Sequence, residues 1–192
     1  IAVVDNLLNL INTLIIGGGM AYTFLKAAGH GIGRSLFEAD KLHTAAKILE
    51  RASSKGIPVI LPADHIIAPE LSDGVSSQTT MDAEIPDNMM GLDIGPKTIK
   101  EFAEVISSAK TIFWNGPLGV FEVEKFSRGT IEIANAIAQS SAMSIIGGGD
   151  SVAAVKVAGV TDKISHISTG GGASLEFVEG RRLPGLIALD ML

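Results

Sequence analysis

Three apolar runs in this chain each lead into three consecutive glycines and then into a pattern typical of a helix. The glycine triplets occupy residues 17–19, 147–149 and 170–172. A short apolar strand that turns through glycine into a helix is the repeating unit of a parallel α/β sheet. At such a turn, glycine lets a ligand approach the backbone, and the free N–H groups of the helix start attract an anion. The sequence therefore predicts βα units whose turns bind phosphate groups.

Short apolar runs alternate with longer segments of helical period along the chain. The predicted strands are 13–16, 58–61, 111–114, 143–146 and 166–168, and the predicted helices are 20–28, 39–54, 97–108, 124–139 and 151–158. The more polar segment 62–91 contains three prolines and predicts loops with a short antiparallel strand pair. Because the chain shows no linker, we expect one domain with helices on both faces of a mainly parallel sheet.

Charge and composition exclude several classes of protein. A net charge of -6 without a run of basic residues argues against a surface that binds nucleic acid or an acidic membrane. The chain has no cysteine for a disulfide or a thiolate metal site, and its four histidines lack the spacing of metal ligands. No apolar stretch is long enough to cross a bilayer, so we expect a soluble domain.

The carboxyl ends of parallel strands share one edge of a sheet, so the three glycine turns are expected to face a single ligand site. One glycine turn alone is usually a packing device, but three in one chain favour a functional site. Asp150 and Ser151 directly follow the second triplet. Either residue can be a plain helix cap. Alternatively, Asp150 holds Mg²⁺ through water and Ser151 binds a phosphate oxygen.

The segment 114–122 contains side chains suited to a nucleotide. Asn115 can donate to a phosphate, and Glu122 can accept from ribose hydroxyls. Pro117 and Val120 can flank an aromatic base. The alternative is that these are ordinary turn and core residues.

The third triplet, Gly170, Gly171 and Gly172, has no acidic neighbour, so its N–H groups suit a phosphoryl group in transfer. Two common nucleotide signatures are missing from the chain. It contains no Gly-x-x-x-x-Gly-Lys-[Ser/Thr] loop, which argues against a P-loop enzyme. The first turn lacks the last glycine of the dinucleotide fingerprint, which makes an NAD-dependent oxidoreductase a weak fit.

The chain closely resembles the phosphoglycerate kinase family in five segments: 15–25, 91–96, 114–117, 147–151 and 168–176. The resemblance covers essentially the whole chain and corresponds to the C-terminal, nucleotide-binding half of that two-domain glycolytic kinase. It implies a Rossmann-like three-layer α/β sandwich with a mainly parallel sheet. The implied reaction transfers the acyl phosphate of 1,3-bisphosphoglycerate to ADP and gives 3-phosphoglycerate and ATP. The implied full-length enzyme is a cytoplasmic monomer.

The resemblance also implies a role for each site residue. It implies that the adenine side is lined by Gly18, Gly19, Gly91, Leu92, Pro117 and Val120, and that the ribose is held by Glu122. It implies that the phosphates are held by Asn115, Gly148, Gly149 and Ser151, and that Mg²⁺ is held by Asp150. The transferring phosphoryl group is then stabilised by Gly170, Gly171 and Gly172. Catalysis would need positioning and charge neutralisation and no covalent intermediate.

The chain departs from the family pattern in two ways. It begins at Ile1, within a predicted helix and without an initiator methionine or a targeting pattern, and lacks the first strand and two lysines that precede this position in the family. It also lacks the N-terminal domain, which binds 3-phosphoglycerate. We therefore expect residues 1–192 to be a domain of a longer protein that binds Mg-ADP or Mg-ATP weakly and is inactive alone. An NAD-dependent oxidoreductase domain and a non-catalytic nucleotide-binding module are the alternatives.

Overall fold

Helices and short strands alternate in the order that the sequence pattern predicts. The computed structural model describes residues 1–168, together with 176, 177, 180 and 187. Among these residues, the helices are α1 (Ala2–Leu7), α2 (Gly18–Ala27), α3 (Leu42–Ser54), α4 (Pro96–Ser108), α5 (Arg128–Gln139) and α6 (Gly149–Val157). The strands are β1 (Leu14–Ile15), β2 (Val59–Ile60), β3 (His65–Ala68), β4 (Gln78–Thr79), β5 (Met90–Ile94), β6 (Thr111–Asn115), β7 (Met143–Gly147) and β8 (His166–Ile167). The predicted α/β fold class is therefore confirmed.

The strands form three hydrogen-bonded groups. β1 pairs with β2 in parallel, and β7 lies between β6 and β8 in a second parallel group. In that group, Trp114 lies opposite Ile146, and Ile146 lies opposite Ile167. The carboxyl ends of these three strands therefore meet at one edge, where the second glycine turn begins.

The polar segment 62–91 contributes to the third group, an antiparallel sheet in the order β4, β3, β5. The predicted antiparallel pair is confirmed, but no strand was predicted at β5. Gly91 and Asp93 give β5 a weak strand signal. Tertiary contacts fix it instead, because Gly91 N–H donates to Ser35 Oγ (2.9 Å) and Asp93 Oδ2 accepts the N–H of Gly129 (2.7 Å).

Each parallel group is covered by its own helices. α2 and α3 bury Phe24 and Ile48 in a core beside β1. α4, α5 and α6 bury Phe102, Ile133 and Val155 in a second core against β6 and β7. Within the described residues, no helix is long and apolar enough to cross a membrane.

Two of the predicted helices are divided. The segment 39–54 begins with a 3-10 helix, Ala39–Lys41, and the segment 124–139 begins with another, Glu124–Phe126. Phe126 is fully buried against the antiparallel sheet, whereas α5 packs in the core of the parallel group. The chain therefore has to change direction before α5 begins.

The starts of α4, α5 and α6 share a feature that the sequence pattern did not reveal. The third residue of each helix is fully buried and has a hydroxyl that accepts N–H groups from a neighbouring loop. These residues are Thr98, which accepts from Ala63 and Asp64, Thr130, which accepts from Leu118 and Gly119, and Ser151, which accepts from Gly116. Each hydroxyl fixes a loop against the first turn of a helix.

Candidate functional site

The central loop, which we define as residues 115–120, contacts two of the three glycine turns. In the first turn, Gly18 N–H donates to Leu118 O (3.2 Å). In the second turn, a Cβ atom at Gly148 would lie 2.9 Å from Asn115 Oδ1, so the turn packs directly against this side chain. The structure thus brings these two turns to one site, as the sequence analysis expects.

The third turn follows β8. The N–H of Ser168 donates to Ile146 O (2.8 Å), so the chain leaves the sheet beside the second turn. Gly170, Gly171 and Gly172 lie outside the described residues. Their role in stabilising a phosphoryl group therefore stays a prediction.

The N–H groups of the central loop that point away from the sheet ladder are bonded within the protein. The acceptors are Ser151 Oγ for Gly116 (2.5 Å), Thr130 Oγ1 for Leu118 (3.0 Å) and Gly119 (3.2 Å), and Leu92 O for Val120 (2.8 Å). Pro117 has no N–H to offer. The backbone of this loop therefore has no free donor for a phosphate, and the exposed side chain of Asn115 is its available polar group.

The start of α6 differs in this respect. Gly148, its N-cap, has a φ of +83° and supplies no side chain, and the N–H groups of Gly149, Asp150 and Ser151 have no acceptor among the described residues. By contrast, Asp64 accepts two N–H groups in the first turn of α4. The start of α6 therefore keeps the unpaired donors and the positive dipole end that an anion requires.

The side chains of Asp150 and Ser151, both in the first turn of α6, have different surroundings. Asp150 is exposed, so its carboxylate is accessible to a cation. The Ser151 hydroxyl is fully buried and occupied by the N–H of Gly116. That Ser151 binds a phosphate therefore stays a prediction.

The residues predicted for the adenine side have three kinds of surroundings. Gly18 and Pro117 lie in direct contact, because a Cβ atom at Gly18 would be 2.5 Å from Pro117 O. Leu92 and Val120 share a small apolar cluster beneath the loop. Gly91 is buried against the ring of Tyr22, so its surface faces the protein interior.

Leu36 is a candidate site residue that was not predicted from the sequence. It is 79% exposed, and its Cδ2 would lie 3.9 Å from a Cβ atom at Gly19. An apolar side chain this exposed beside a glycine turn can cover one face of a base. The pair Leu36 and Phe37 within a polar segment was the signal in the sequence.

Glu122 lies farther along the chain, in an open cleft of about 720 Å³ that also includes Asp73, Glu124 and Lys125. Lys125 Nζ donates to the carbonyl oxygens of Asp73 (2.9 Å) and Val75. Three carboxylates make the cleft unsuitable for phosphate. The exposed carboxylate of Glu122 can accept from sugar hydroxyls there.

Asp93 is a buried carboxylate next to the central loop. Its Oδ2 accepts the N–H of Gly129 (2.7 Å) and its Oδ1 accepts the N–H of Ile94 (2.9 Å). Burial raises the pKa of Asp93 to about 7, although these N–H groups and the positive charge of Arg128 favour the ionised form. A Cβ atom at Gly119 would collide with this carboxylate, so the loop can lie here because residue 119 is glycine.

His65 is a second buried ionisable group, with its ring centroid 5.6 Å from that of Tyr22. Neither ring nitrogen has hydrogen-bond geometry with a described residue. Burial lowers the pKa of His65 to about 4, although the nearby Asp64 carboxylate and Ala83 carbonyl favour the charged form. The imidazole is therefore neutral around pH 7.

Gly18→Ala is expected to lower the free energy of unfolding by about 2 kcal/mol. Gly18 has a φ of +61°, and the added Cβ would lie 2.5 Å from Pro117 O, a backbone atom that the loop holds in place. Gly19→Ala is the matched control, because the same helical turn leaves room for that Cβ atom. Urea denaturation measures both variants, and equal stabilities would contradict the contact.

Comparisons with known proteins agree with one another. The family model described as "Phosphoglycerate kinase" matches residues 1–181. Over 190 residues, the chain is 54% identical to the phosphoglycerate kinase of Clostridium novyi and 57% identical to that of Clostridium botulinum, covering 99% of this chain and 48% of each relative. Its structure is similar to that of phosphoglycerate kinase from Coxiella burnetii (TM-score 0.93, 46% identity, 97% of this chain and 48% of that chain). The corresponding values for the Pyrococcus horikoshii enzyme are 0.85, 34%, 98% and 48%.

The chain spans about half the length of the curated relatives it matches. Among the described residues, no group of three or more histidine or acidic side chains is arranged to hold a metal ion.

Proposed function

Because this chain belongs to the phosphoglycerate kinase family, we propose that it is the nucleotide-binding half of a kinase that transfers an acyl phosphate from 1,3-bisphosphoglycerate to ADP. The products are 3-phosphoglycerate and ATP. The phosphoglycerate binds to the other half of the enzyme, and residues 1–192 form the C-terminal domain. The full-length enzyme is a cytoplasmic monomer.

The contrast between the central loop and the start of α6 carries this proposal. The loop has bonded N–H groups and apolar surface at Val120, which suits a base, and Glu122 follows for the ribose. The start of α6 has free N–H groups at Gly149 and Asp150, which suit phosphates. The side chain of Asn115 lies between the two regions. The nucleotide would therefore bind in one orientation, with its adenine and ribose along the central loop and its phosphates at the start of α6.

Asp150 is the side chain that would hold Mg²⁺. Its carboxylate is exposed and is the first acidic group beside the free N–H groups of α6. A carboxylate alone beside a phosphate site would repel the ligand, whereas Mg²⁺ typically binds through one or two carboxylates, waters and substrate phosphates. When bound, Mg²⁺ supplies charge neutralisation for the phosphate being transferred.

The protein's own contribution to the transfer is positioning. The N–H groups at the start of α6, with Gly148 and Gly149, would orient the phosphates of ADP, and Asn115 would donate to one of their oxygens. Gly170, Gly171 and Gly172 would stabilise the phosphoryl group in transfer with their N–H groups. No side chain here has to act as a covalent nucleophile.

The chain is expected to bind ADP with Mg²⁺ weakly, with a Kd on the order of 1 mM, because it spans only about half the length of its curated relatives. An NMR titration should shift the amide signals of residues 148–151 with ADP. With adenosine, the same experiment should shift the amide signals of residues 118–120 and leave those of residues 148–151 unchanged. No response to millimolar ADP would contradict the proposal, and tighter binding of NADH would favour the oxidoreductase alternative. ADP binding by a full-length protein without transferase activity would favour a non-catalytic module.

A further inference from the structure

Thr130, the third residue of α5, has a fully buried hydroxyl in contact with the central loop. Its Oγ1 accepts the N–H of Leu118 at 3.0 Å and the N–H of Gly119 at 3.2 Å. One oxygen atom therefore satisfies two consecutive backbone donors. Leu118 is itself buried, so its N–H would have no water to replace the bond.

The position of Thr130 is fixed by a hydrogen bond of the preceding residue. The next residue toward the start of α5, Gly129, donates its N–H to the buried Asp93 carboxylate at 2.7 Å. The Asp93 residue lies in β5, the same strand whose Leu92 O accepts from Val120 at 2.8 Å. The helix start and the far end of the loop are thus anchored to one strand.

We propose that Thr130 is a positioning residue that sets the base- and ribose-binding part of the nucleotide site through its bonds to Leu118 and Gly119. This inference rests on the proposed function. Val120 and Glu122 follow the two bonded residues within four positions, and Thr130 itself is fully buried. Thr130 therefore acts on the nucleotide through the backbone alone.

Loss of the Thr130 hydroxyl leaves two adjacent N–H groups without an acceptor. Thr130→Val keeps the shape and volume of the side chain but removes the oxygen. The loop then has to shift toward water to satisfy Leu118 and Gly119, because an unpaired buried donor is costly. That shift moves Val120 relative to Gly18 and Pro117, which form the other wall of the site.

The chain contains a matched control in α4. Thr98 is also the third residue of its helix, is also fully buried, and its Oγ1 accepts the N–H groups of Ala63 (2.9 Å) and Asp64 (3.0 Å). These residues lie in the loop before β3 and have no part in the proposed nucleotide site. Thr98→Val therefore removes an equivalent pair of bonds elsewhere, together with the bond from Thr98 Oγ1 to Asp64 Oδ1 (2.6 Å).

The test measures the Kd of ADP with Mg²⁺ by NMR titration and the thermal unfolding midpoint for the chain and its variants. Thr130→Val should raise the Kd about tenfold or more, whereas Thr130→Ser, which keeps the oxygen, should stay within about twofold of the wild-type chain. Thr98→Val should lower the unfolding midpoint and leave the Kd unchanged. This separates an effect on the site from an effect on stability.

Three results would overturn the inference. An unchanged Kd in Thr130→Val would assign Thr130 to stability only, and an equal rise of the Kd in Thr98→Val would assign both effects to general loosening. If Thr130→Val does not fold, amide hydrogen exchange of the wild-type chain decides, because exchange of Leu118 and Gly119 at the rate of unprotected amides would exclude the bonds. Failure of the wild-type chain to bind ADP is a separate outcome, because it would overturn the proposed function itself.

Discussion

Asp150→Ala in a full-length kinase that contains this chain is expected to lower kcat about 100-fold or more, while the Kd of ADP changes less than about fivefold. The exposed carboxylate is the side chain that we propose holds Mg²⁺ at the start of α6. Mg²⁺ contributes chiefly to the charge that develops on the phosphate in transfer, whereas base and ribose contacts remain. The loss should therefore appear in turnover and much less in nucleotide binding.

Asp162→Ala is the matched control for the change in charge. Asp162 is also exposed and follows α6 in the 3-10 helix Thr161–Lys163, away from the helix start. Steady-state kinetics of both variants, with ADP binding measured with and without Mg²⁺, distinguishes a metal ligand from a general electrostatic effect. If Asp150→Ala turns over like the control, Asp150 serves only the helix.

Two buried groups are expected to give opposite pH dependences of stability. As the pH rises from 4 to 6.5, the free energy of unfolding of His65→Phe should fall by about 3 kcal/mol relative to that of the wild-type chain. Over the same range, the free energy of unfolding of Asp93→Asn should rise by about the same amount relative to the wild-type chain. The wild-type chain should show little net dependence from this pair. Chemical denaturation at several pH values measures all three proteins.

The signs follow from the direction of each pKa shift. The pKa of Asp93 is raised from 3.8 to about 7 by burial, so its stabilising contribution is complete below pH 3.8 and is lost as the pH rises through 7. The pKa of His65 is lowered from 6.5 to about 4 by burial, so its contribution is complete above pH 6.5 and is lost as the pH falls through 4. Each group contributes a slope of at most about 1.4 kcal/mol per pH unit.

Comparison of each variant with the wild-type chain removes the contribution of the exposed carboxylates, which all three proteins share. Tyr22, whose pKa is raised by burial and by the Asp93 carboxylate, does not titrate in this range. Parallel pH profiles for the two variants would show that the folded chain holds these groups in water, contrary to their burial.

The strands of the parallel groups could be predicted closely from the sequence because they are continuous apolar runs. β6 and β7 each extend only one residue beyond the predicted range. β5 could not be predicted in this way, since Gly91 and Asp93 are stabilised as strand residues by Ser35 and Gly129, which are distant in the sequence. A pattern of apolar residues predicts which segments are buried. It does not predict a buried hydrogen bond between residues that are distant in the sequence.

The candidate site shows the same division. The exposed positions of Asn115, Glu122 and Asp150 agree with the sequence interpretation, and their ligand roles stay predictions. The buried Ser151 hydroxyl and the bonds of Thr130 could not be predicted from the sequence. A serine or threonine near the start of a helix can also be an exposed cap, and the sequence does not distinguish the two cases. Their partners become known only when the helices are placed beside the loop.

The close contacts of the central loop affect how this fold would diverge. Gly18 makes room for Pro117 O, and Gly119 makes room for Phe126 O, which would lie 2.6 Å from an added Cβ atom. A descendant of this chain would need both glycines to fold. The exposed side chain of Asp150, which the fold does not require, would be free to change. Such a descendant would keep the two glycines, and Asp150 would be among the first residues to change.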